Sequence, residues 1–203
     1  MLSTSAPALP VDGRRARGLR AHGAIVDAML GLIQDGDLRP TAARVAARAG
    51  VSLRSVFQHF PDLEAIFTAA AERRIDQVRR LVVPVPAEGP LDERITAFVA
   101  ARVQLLEAIT PVRRAALLVE PFSPVIASRL ERGRRFFKQQ VHDVFTHELD
   151  GLAAPEQREL VAALTVAVSW SAWEQLRRHQ GLPPARARAA VVRVLRGLLA
   201  TAR

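Results

Sequence analysis

The chain has 203 residues, of which 49% are hydrophobic and 24% charged, a composition that excludes an intrinsically disordered protein. It contains no cysteine, which excludes disulfide scaffolds, cysteine-ligated metal sites and thiol nucleophiles. The formal net charge is +9; no signal peptide is visible, and the longest charge-free run, residues 160–173, is too short to span a bilayer, so we expect a cytoplasmic protein without a membrane partner.

Helical periodicity dominates the chain from residue 19 onward, and the first three helices are short. Apolar residues recur on one face of a first helix that ends near Gly36: Ile25, Met29, Leu32 and Ile33. Thr41 is a candidate N-cap for a second helix over residues 42–49, and Ser52 is one for a third helix that ends near His59.

Longer helices are predicted in the rest of the chain. A fourth helix begins at Pro61-Asp62 and ends near Leu81, before a proline-rich break over residues 83–90. Proline, serine, threonine and glycine then delimit five more helices: 91–109, 110–120, 124–149, 155–179 and 185–200. Strand patterns are nearly absent, so we predict an all-α protein of nine helices.

Residues 41–60 have the pattern of a helix-turn-helix. Ala46 is small enough for another helix to pass close, and Gly50 allows the left-handed turn after the second helix. Four residues are then expected to hold the two short helices together from the inside: Val45, Val51, Val56 and Phe60. We therefore predict two short helices packed at a steep angle.

The residues of the third helix that this core does not need are polar, apart from Leu53. A helix in this position presents its N-terminal half to the major groove of DNA. There Arg54 could pair with guanine and Gln58 with adenine, each with about 1–3 kcal/mol of discrimination between bases. Serine, threonine and helix N-termini suit phosphate.

Residues 20–66 resemble the DNA-binding domain of the TetR family of bacterial transcriptional repressors. The resemblance is carried by residues 49–52 (Ala-Gly-Val-Ser), 57–61 (Phe-Gln-His-Phe-Pro) and Glu64-Ala65. It implies a cytoplasmic homodimer that binds a palindromic operator on double-stranded DNA and is released by a small-molecule effector. The implied parts are a basic, disordered arm over residues 1–18, a helix-turn-helix domain over 19–64, and a ligand-binding and dimerisation domain over 65–203.

Three positions depart from the family pattern. The family commonly has tyrosine at the position of Phe57 and lysine at that of Leu63, and both residues touch phosphate, so here Phe57 is expected to pack instead. Arg54 replaces a frequent glycine and adds a donor at the groove. The predicted DNA-binding residues are Thr41, Arg44, Ser52, Arg54, Ser55, Gln58 and His59, with Arg54 and Gln58 on base edges. Alternatively, Arg44 is a solvated helix residue and His59 a ring packed on the first helix.

The family's second domain usually holds a small-molecule pocket among its middle helices. The candidate lining residues here are Phe98, Arg102, Phe122, Phe137, Phe145, Trp170 and Trp173, although any one of them is also compatible with an ordinary core. No set of charged residues converges in the sequence, so an apolar drug, a lipid-like acid and a metabolite are all compatible effectors.

The last two predicted helices carry apolar stripes that could form a four-helix bundle between two subunits. The predicted interface residues are Leu160, Leu164, Ala167, Val168 and Ser171, followed by Val191, Leu195 and Leu198. The same stripes would also serve the core of a single subunit.

The residues bear on two other functions, an enzyme and a basic adaptor. His142 and His147 are five residues apart, about 140° around a helix, which does not suit a shared metal ion. No nucleophile elbow, P-loop or dinucleotide fingerprint occurs, so we expect no enzyme, cofactor or metal site. Residues 1–60 hold eight arginines against four aspartates, which suits phosphate contacts but also a basic helical adaptor that binds without sequence choice.

Overall fold

The computed structural model describes residues 13–80 and 84–200, and no strand occurs among them, which confirms the all-α prediction. The chain divides into two compact units, the first ending at Arg74 and the second beginning at Ile75. Ten α-helices are described: α1 Gly13–Gln34, α2 Ala42–Ala49, α3 Leu53–His59, α4 Leu63–Arg79, α5 Leu91–Val119, α6 Pro124–Val144, α7 Thr146–Leu149, α8 Ala154–Ala167, α9 Trp170–Glu174 and α10 Pro184–Ala200.

The first unit has a small apolar core between α1, α2, α3 and the first turns of α4. The face of α1 predicted from periodicity is buried, and residues of the three following helices complete the core: Val45, Ala46, Val56, Phe60, Ile66, Phe67 and Ala70. The first helix begins at Gly13, so residues 13–18 of the predicted disordered arm are helical. Residues 1–12 of that arm lie outside the described residues.

Helix α5 is longer than predicted because the expected break at Thr110-Pro111 does not occur. A proline removes only one backbone hydrogen bond from a helix, and here the helix is held on both sides of it. Leu106 and Val112 are both buried, and the hydroxyl of Thr110 donates to the carbonyl of Leu106 at 2.6 Å. Packing therefore keeps the helix continuous through Pro111.

Two other predicted helices are interrupted, and since two predicted helices merge into α5, the described residues form ten α-helices rather than nine. The segment after Ser123-Pro124 begins as predicted but breaks at Phe145, which is completely buried and separates α6 from α7. The segment after Pro155 breaks at Val168-Ser169, where the Ser169 hydroxyl accepts from the backbone N–H of Ala172 at 3.1 Å and caps α9. A π-helical turn, Gln175–His179, follows α9.

The core of the second unit lies between α5, α6, α8, α9 and α10. It includes much of the stripe that was predicted to form a dimer interface. Four of those predictions are wrong, because the side chains are almost completely buried within one chain and have no surface left for a partner: Leu164, Val168, Val191 and Leu195. Leu160, Ala167 and Leu198 are half-buried against the same core, and Ser171 is exposed.

The outer faces of α8 and α10 carry other apolar side chains. Val166 on α8 is 66% exposed, and Val194 on α10 is 49% exposed. Small residues lie one turn away on each helix, namely Ala162 and Gly197, and both are exposed. Val166 and Val194 are thus apolar side chains that α8 and α10 leave exposed, whereas the stripe is buried.

Helix α5, taken with the 3-10 turn that follows it, is long and apolar enough to cross a membrane by length and composition alone. The length of charge-free runs in the sequence therefore did not identify this segment as long enough to cross a membrane. It is nevertheless weak evidence of a membrane span, because core helices pass the same test. Ile95, Phe98, Val99 and Leu106 on α5 are buried against the other helices of the second unit, as in a core helix.

Candidate nucleic-acid interface and cavity

The turn between α2 and α3 has the backbone geometry that the sequence predicts. Gly50 has a φ of +66°, in the left-handed region where a side chain is strained. The N–H groups of Gly50 and Val51 donate to the carbonyls of Ala47 and Ala46 at 3.3 and 3.1 Å, which closes the end of α2. The chain thus reverses within three residues and enters α3.

Both short helices are capped by the predicted hydroxyl groups. Thr41 Oγ1 accepts from the backbone N–H of Arg44 at 3.3 Å, and Ser52 Oγ accepts from that of Ser55 at 3.1 Å. Thr41 and Ser52 are exposed, and each hydroxyl keeps its own hydrogen for a further acceptor. The caps therefore fix the helix starts and leave O–H donors suited to phosphate oxygens.

Helix α3 buries one side and exposes the other. Val56 is completely buried, whereas Arg54 and Gln58 are exposed. Gln58 lies four positions after Arg54, so their side chains share one helix face. No hydrogen bond or ion pair holds either side chain among the described residues, so both are available to base edges.

The expectation that Phe57 packs in the core is wrong. Its side chain is 49% exposed, because Val56 and Phe60 already occupy the inward side of α3. Leu53 is exposed as well, so α3 presents two apolar side chains beside Arg54. Apolar side chains in a major groove contact the methyl group of thymine, a role that the sequence analysis did not consider for Phe57.

The positions of Arg44 and His59 are compatible with a DNA contact and also with the alternative role predicted for each. Arg44 is exposed but forms an ion pair with Asp37, with Nη1 2.7 Å from Oδ2, so a phosphate would share it with a carboxylate. His59 is half-buried, and its ring centroid lies 6.3 Å from that of His22 on α1. His22 in turn stacks on Phe60 at 4.5 Å. Ser55 is half-buried.

Surface ion pairs hold α1 to its neighbours. Arg48 on α2 reaches Asp35 at the end of α1, with Nη1 2.5 Å from Oδ2. Its guanidinium crosses Gly31 so closely that a Cβ there would lie 2.7 Å from Nη2. On α4, Arg73 pairs with Asp27 at 2.5 Å. Exposed pairs of this kind contribute little stability, so the position of α3 depends mainly on its buried residues Val56 and Phe60.

The second unit contains a cavity of about 270 Å³ between α5, α6 and the segment before α5. Its inner wall includes the buried residues Phe98, Arg102 and Val144, and exposed residues such as Pro84 and Asp143 form its mouth. The full lining is Pro84, Val85, Phe98, Ala101, Arg102, Leu105, Gln140, Asp143 and Val144.

Of the predicted pocket residues, Phe98 and Arg102 line this cavity and two more lie beside them. The ring of Phe137 is 4.2 Å from the guanidinium carbon of Arg102, and Phe145 packs edge-on against Phe98 at 5.4 Å. Sequence reasoning missed Gln140 and Asp143 as lining residues, because a single polar residue on a helix gives no signal of what it faces.

The remaining aromatic residues do not line this cavity. Phe122 is 82% exposed in the 3-10 turn Glu120–Phe122, which corrects its expected place in a pocket. Trp173 is core, and its indole N–H donates to Glu107 at 2.9 Å. Trp170 donates to Thr110 Oγ1 at 3.0 Å, also away from the cavity lining.

His142 and His147 lie on different helices, α6 and α7, and both are about half exposed. His142 lies 3.9 Å from Asp143, and His147 lies 3.3 Å from Glu88. Within residues 13–80 and 84–200, no group of three or more histidine or acidic side chains is placed to hold a metal ion.

Solved structures of bacterial regulators are similar to this chain over nearly its whole length. A transcriptional regulator from Rhodococcus sp. Rha1 is 23% identical, with a TM-score of 0.66, over 91% of this chain and 96% of that one. A TetR-family regulator from Streptomyces coelicolor is 19% identical, with a TM-score of 0.70, over 91% and 82%. A putative TetR-family regulator from Mesorhizobium loti is 18% identical, with a TM-score of 0.60, over 91% and 98%.

No family model and no curated protein sequence matches the chain. The likeness is therefore one of three-dimensional structure, and it spans both units rather than the helix-turn-helix alone. Together with the caps, the left-handed turn and the exposed face of α3, it identifies the architecture. The chain has the fold of the TetR-family transcriptional regulators.

Proposed function

We propose that the protein is a sequence-specific DNA-binding transcriptional regulator whose helix α3 reads the major groove. The observation that carries this proposal is the exposed pair Arg54 and Gln58, one turn apart on a helix braced from behind by Val56. Arginine suits guanine and glutamine suits adenine in that groove. Phosphate contacts come from Thr41, Arg44, Ser52, Ser55 and His59. The fold shared with known regulators supports this function over an enzymatic one.

The regulator acts as a homodimer in the cytoplasm and binds a palindromic operator. A twofold dimer matches two half-sites on one face of the duplex, which is how helix-turn-helix proteins gain specificity. The exposed valines on α8 and α10, Val166 and Val194, support an interface there. An arginine substituted for either valine would place its cation against apolar side chains of the partner subunit.

Its activity is that of a repressor released by a small molecule. A ligand in the second unit that favours one of two dimer arrangements shifts the population away from DNA. The cavity beside Arg102 supports such a ligand.

Selection from random duplex DNA with the purified full chain tests DNA recognition. We expect an enriched palindrome with half-sites about one helical turn apart, about 10–10.5 base pairs centre to centre. An absence of enrichment over bulk DNA would favour the alternative, a basic helical protein or adaptor without sequence choice. In that case retention on DNA would fall with salt equally for every sequence.

The mass of Val166→Arg and Val194→Arg variants in solution tests the dimer. We expect the wild-type chain at twice the monomer mass and both variants shifted toward monomer, because a desolvated, unpaired charge opposes association. Val125→Arg is the matched control, since Val125 on α6 is also 49% exposed. A dimer that tolerates both changes on α8 and α10 would contradict this interface.

A further inference from the structure

Arg102 is the most buried charged side chain in the described part of the second unit. Only 3% of it is exposed, and it lines the cavity between α5 and α6. Among the described residues, no carboxylate lies within ion-pair distance of its guanidinium. Burying a charge without a partner is costly, so its position calls for a physical explanation.

Two other arginines of α5 show the usual solution. Arg94, two turns earlier and also buried, pairs with Glu148, with Nη1 3.0 Å from Oε2. Arg114, whose side chain is 34% exposed, pairs with both oxygens of Glu174 at 2.8 and 3.0 Å. Arg102 is as buried as Arg94, but among the described residues it has no carboxylate to neutralise it.

The contacts that Arg102 does make leave its charge uncompensated. Its Nη2 donates to Gln140 Oε1 at 3.0 Å and to the carbonyl of Phe137 at 3.5 Å, both neutral acceptors. Its Nη1 is buried and has no hydrogen-bond partner in the described part of the chain. The rings of Phe98 and Phe137 lie 4.9 and 4.2 Å from the guanidinium carbon, so aromatic faces flank the cation. Burial lowers the pKa of Arg102 to about 10, and it remains protonated at neutral pH.

The size and walls of the cavity restrict what could supply the missing anion. At about 270 Å³ the cavity is larger than an apolar cavity of roughly 150 Å³ that holds benzene, so it has room for a small organic molecule. Asp143 lies at the mouth, where its carboxylate accepts from Gln139 Nε2 at 2.6 Å. Because this carboxylate belongs to the lining of the same cavity, a ligand with one negative charge meets less repulsion there than a ligand with two.

We propose that this cavity binds a small monocarboxylate with an aromatic or compact apolar body, and that Arg102 is the residue that pairs with its carboxylate. The apolar body lies against Phe98, Ala101 and Leu105. Describing this molecule as the effector rests on the proposed function, whereas its binding does not.

Calorimetric titration of the full chain with sodium benzoate and with benzamide tests the charge requirement. The two probes share a ring and differ in charge, and both are small enough for a cavity of about 270 Å³. We expect saturable binding of one benzoate per chain and at least tenfold weaker binding of benzamide, because a charge-assisted pair replaces a neutral contact.

Two variants locate the site. Arg102→Met removes the charge at similar volume, and Ala101→Leu fills the cavity without touching the charge; each should weaken benzoate binding at least tenfold. Arg135→Met, on an exposed residue of α6, is the charge-matched control and should bind as the wild type does. If Arg102→Met does not fold, Ala101→Leu and the benzamide comparison still decide the proposal.

Three results would overturn the proposal: no benzoate binding by the wild type, equal affinity for benzoate and benzamide, or unchanged binding in a folded Arg102→Met or Ala101→Leu protein. DNA selection separates this failure from that of the regulator. Selected DNA without benzoate binding rejects only the carboxylate site, and benzoate binding without selected DNA rejects only the regulator.

Discussion

The two units use arginine in opposite ways. In the first unit the arginines of α2 and α3 are exposed, and Arg48 meets Asp35 at the surface. In the second unit Arg94 and Glu148 form an ion pair withdrawn from water. An exposed pair contributes little stability, but its cation can turn to another anion, whereas a buried pair is fixed in place.

Burial, rather than residue type, therefore decides which kind of anion each arginine can bind. Exposed arginines attract a polyanion from a distance, with a strength that salt reduces. A buried arginine without an acid, as at position 102, selects one compact anion instead. Substitutions on the surface of the first unit and in the interior of the second therefore test this difference between the units most directly.

The largest effect is expected inside the second unit. Leu164→Ala removes a completely buried side chain and should lower the free energy of unfolding by about 2–5 kcal/mol. Val166→Ala, two residues away and 66% exposed, should change it by less than about 0.5 kcal/mol. Urea unfolding measures both. Equal effects would mean that α8 is buried on both sides within the dimer.

An intermediate effect is expected at the start of the reading helix. Ser52→Ala removes the hydroxyl that caps α3 and should lower the free energy of unfolding by about 1 kcal/mol, whereas Ser52→Gly should cost only a few tenths. The matched test is Thr41→Ala at the cap of α2. Chemical denaturation of the three variants would contradict this account if alanine and glycine at position 52 were equivalent.

The smallest effect is expected at the exposed arginines of α1. Arg15→Ala and Arg17→Ala should each reduce the slope of log K against log salt by about 0.9 if that side chain contacts a phosphate. Binding to the selected operator at several salt concentrations measures the slope. Arg135→Ala serves as the control. An unchanged slope in both α1 variants would remove this helix start from the DNA interface.

Local chemistry made the first unit predictable. Thr41, Gly50 and Ser52 act on backbone groups within a few residues, so the sequence alone places the caps and the turn between α2 and α3. The inward residues Val45 and Val56 follow from the 3.6-residue period. The site prediction was wrong at Phe57. The small core accepts a limited number of apolar residues, and this number decides which of them stays exposed.

The second unit was less predictable because its features depend on distant packing. Pro111 predicts a helix boundary locally, yet contacts across α5 keep the helix whole. Periodicity located the buried stripe that includes Leu164 and Leu195, but core and interface have the same period. Within residues 13–80 and 84–200, the lack of a carboxylate beside Arg102 is a property of the packed fold that no short segment encodes.

The account depends most on the claim that α3 reads bases through Arg54. The direct measurement compares the base preferences selected by the wild-type chain with those selected by Arg54→Ala, with thermal unfolding as a check on folding. We predict that preference is lost at one base pair per half-site, worth about 1–3 kcal/mol, while the other positions are retained. Identical preferences for the two proteins, or no preference in the wild type, would contradict the account.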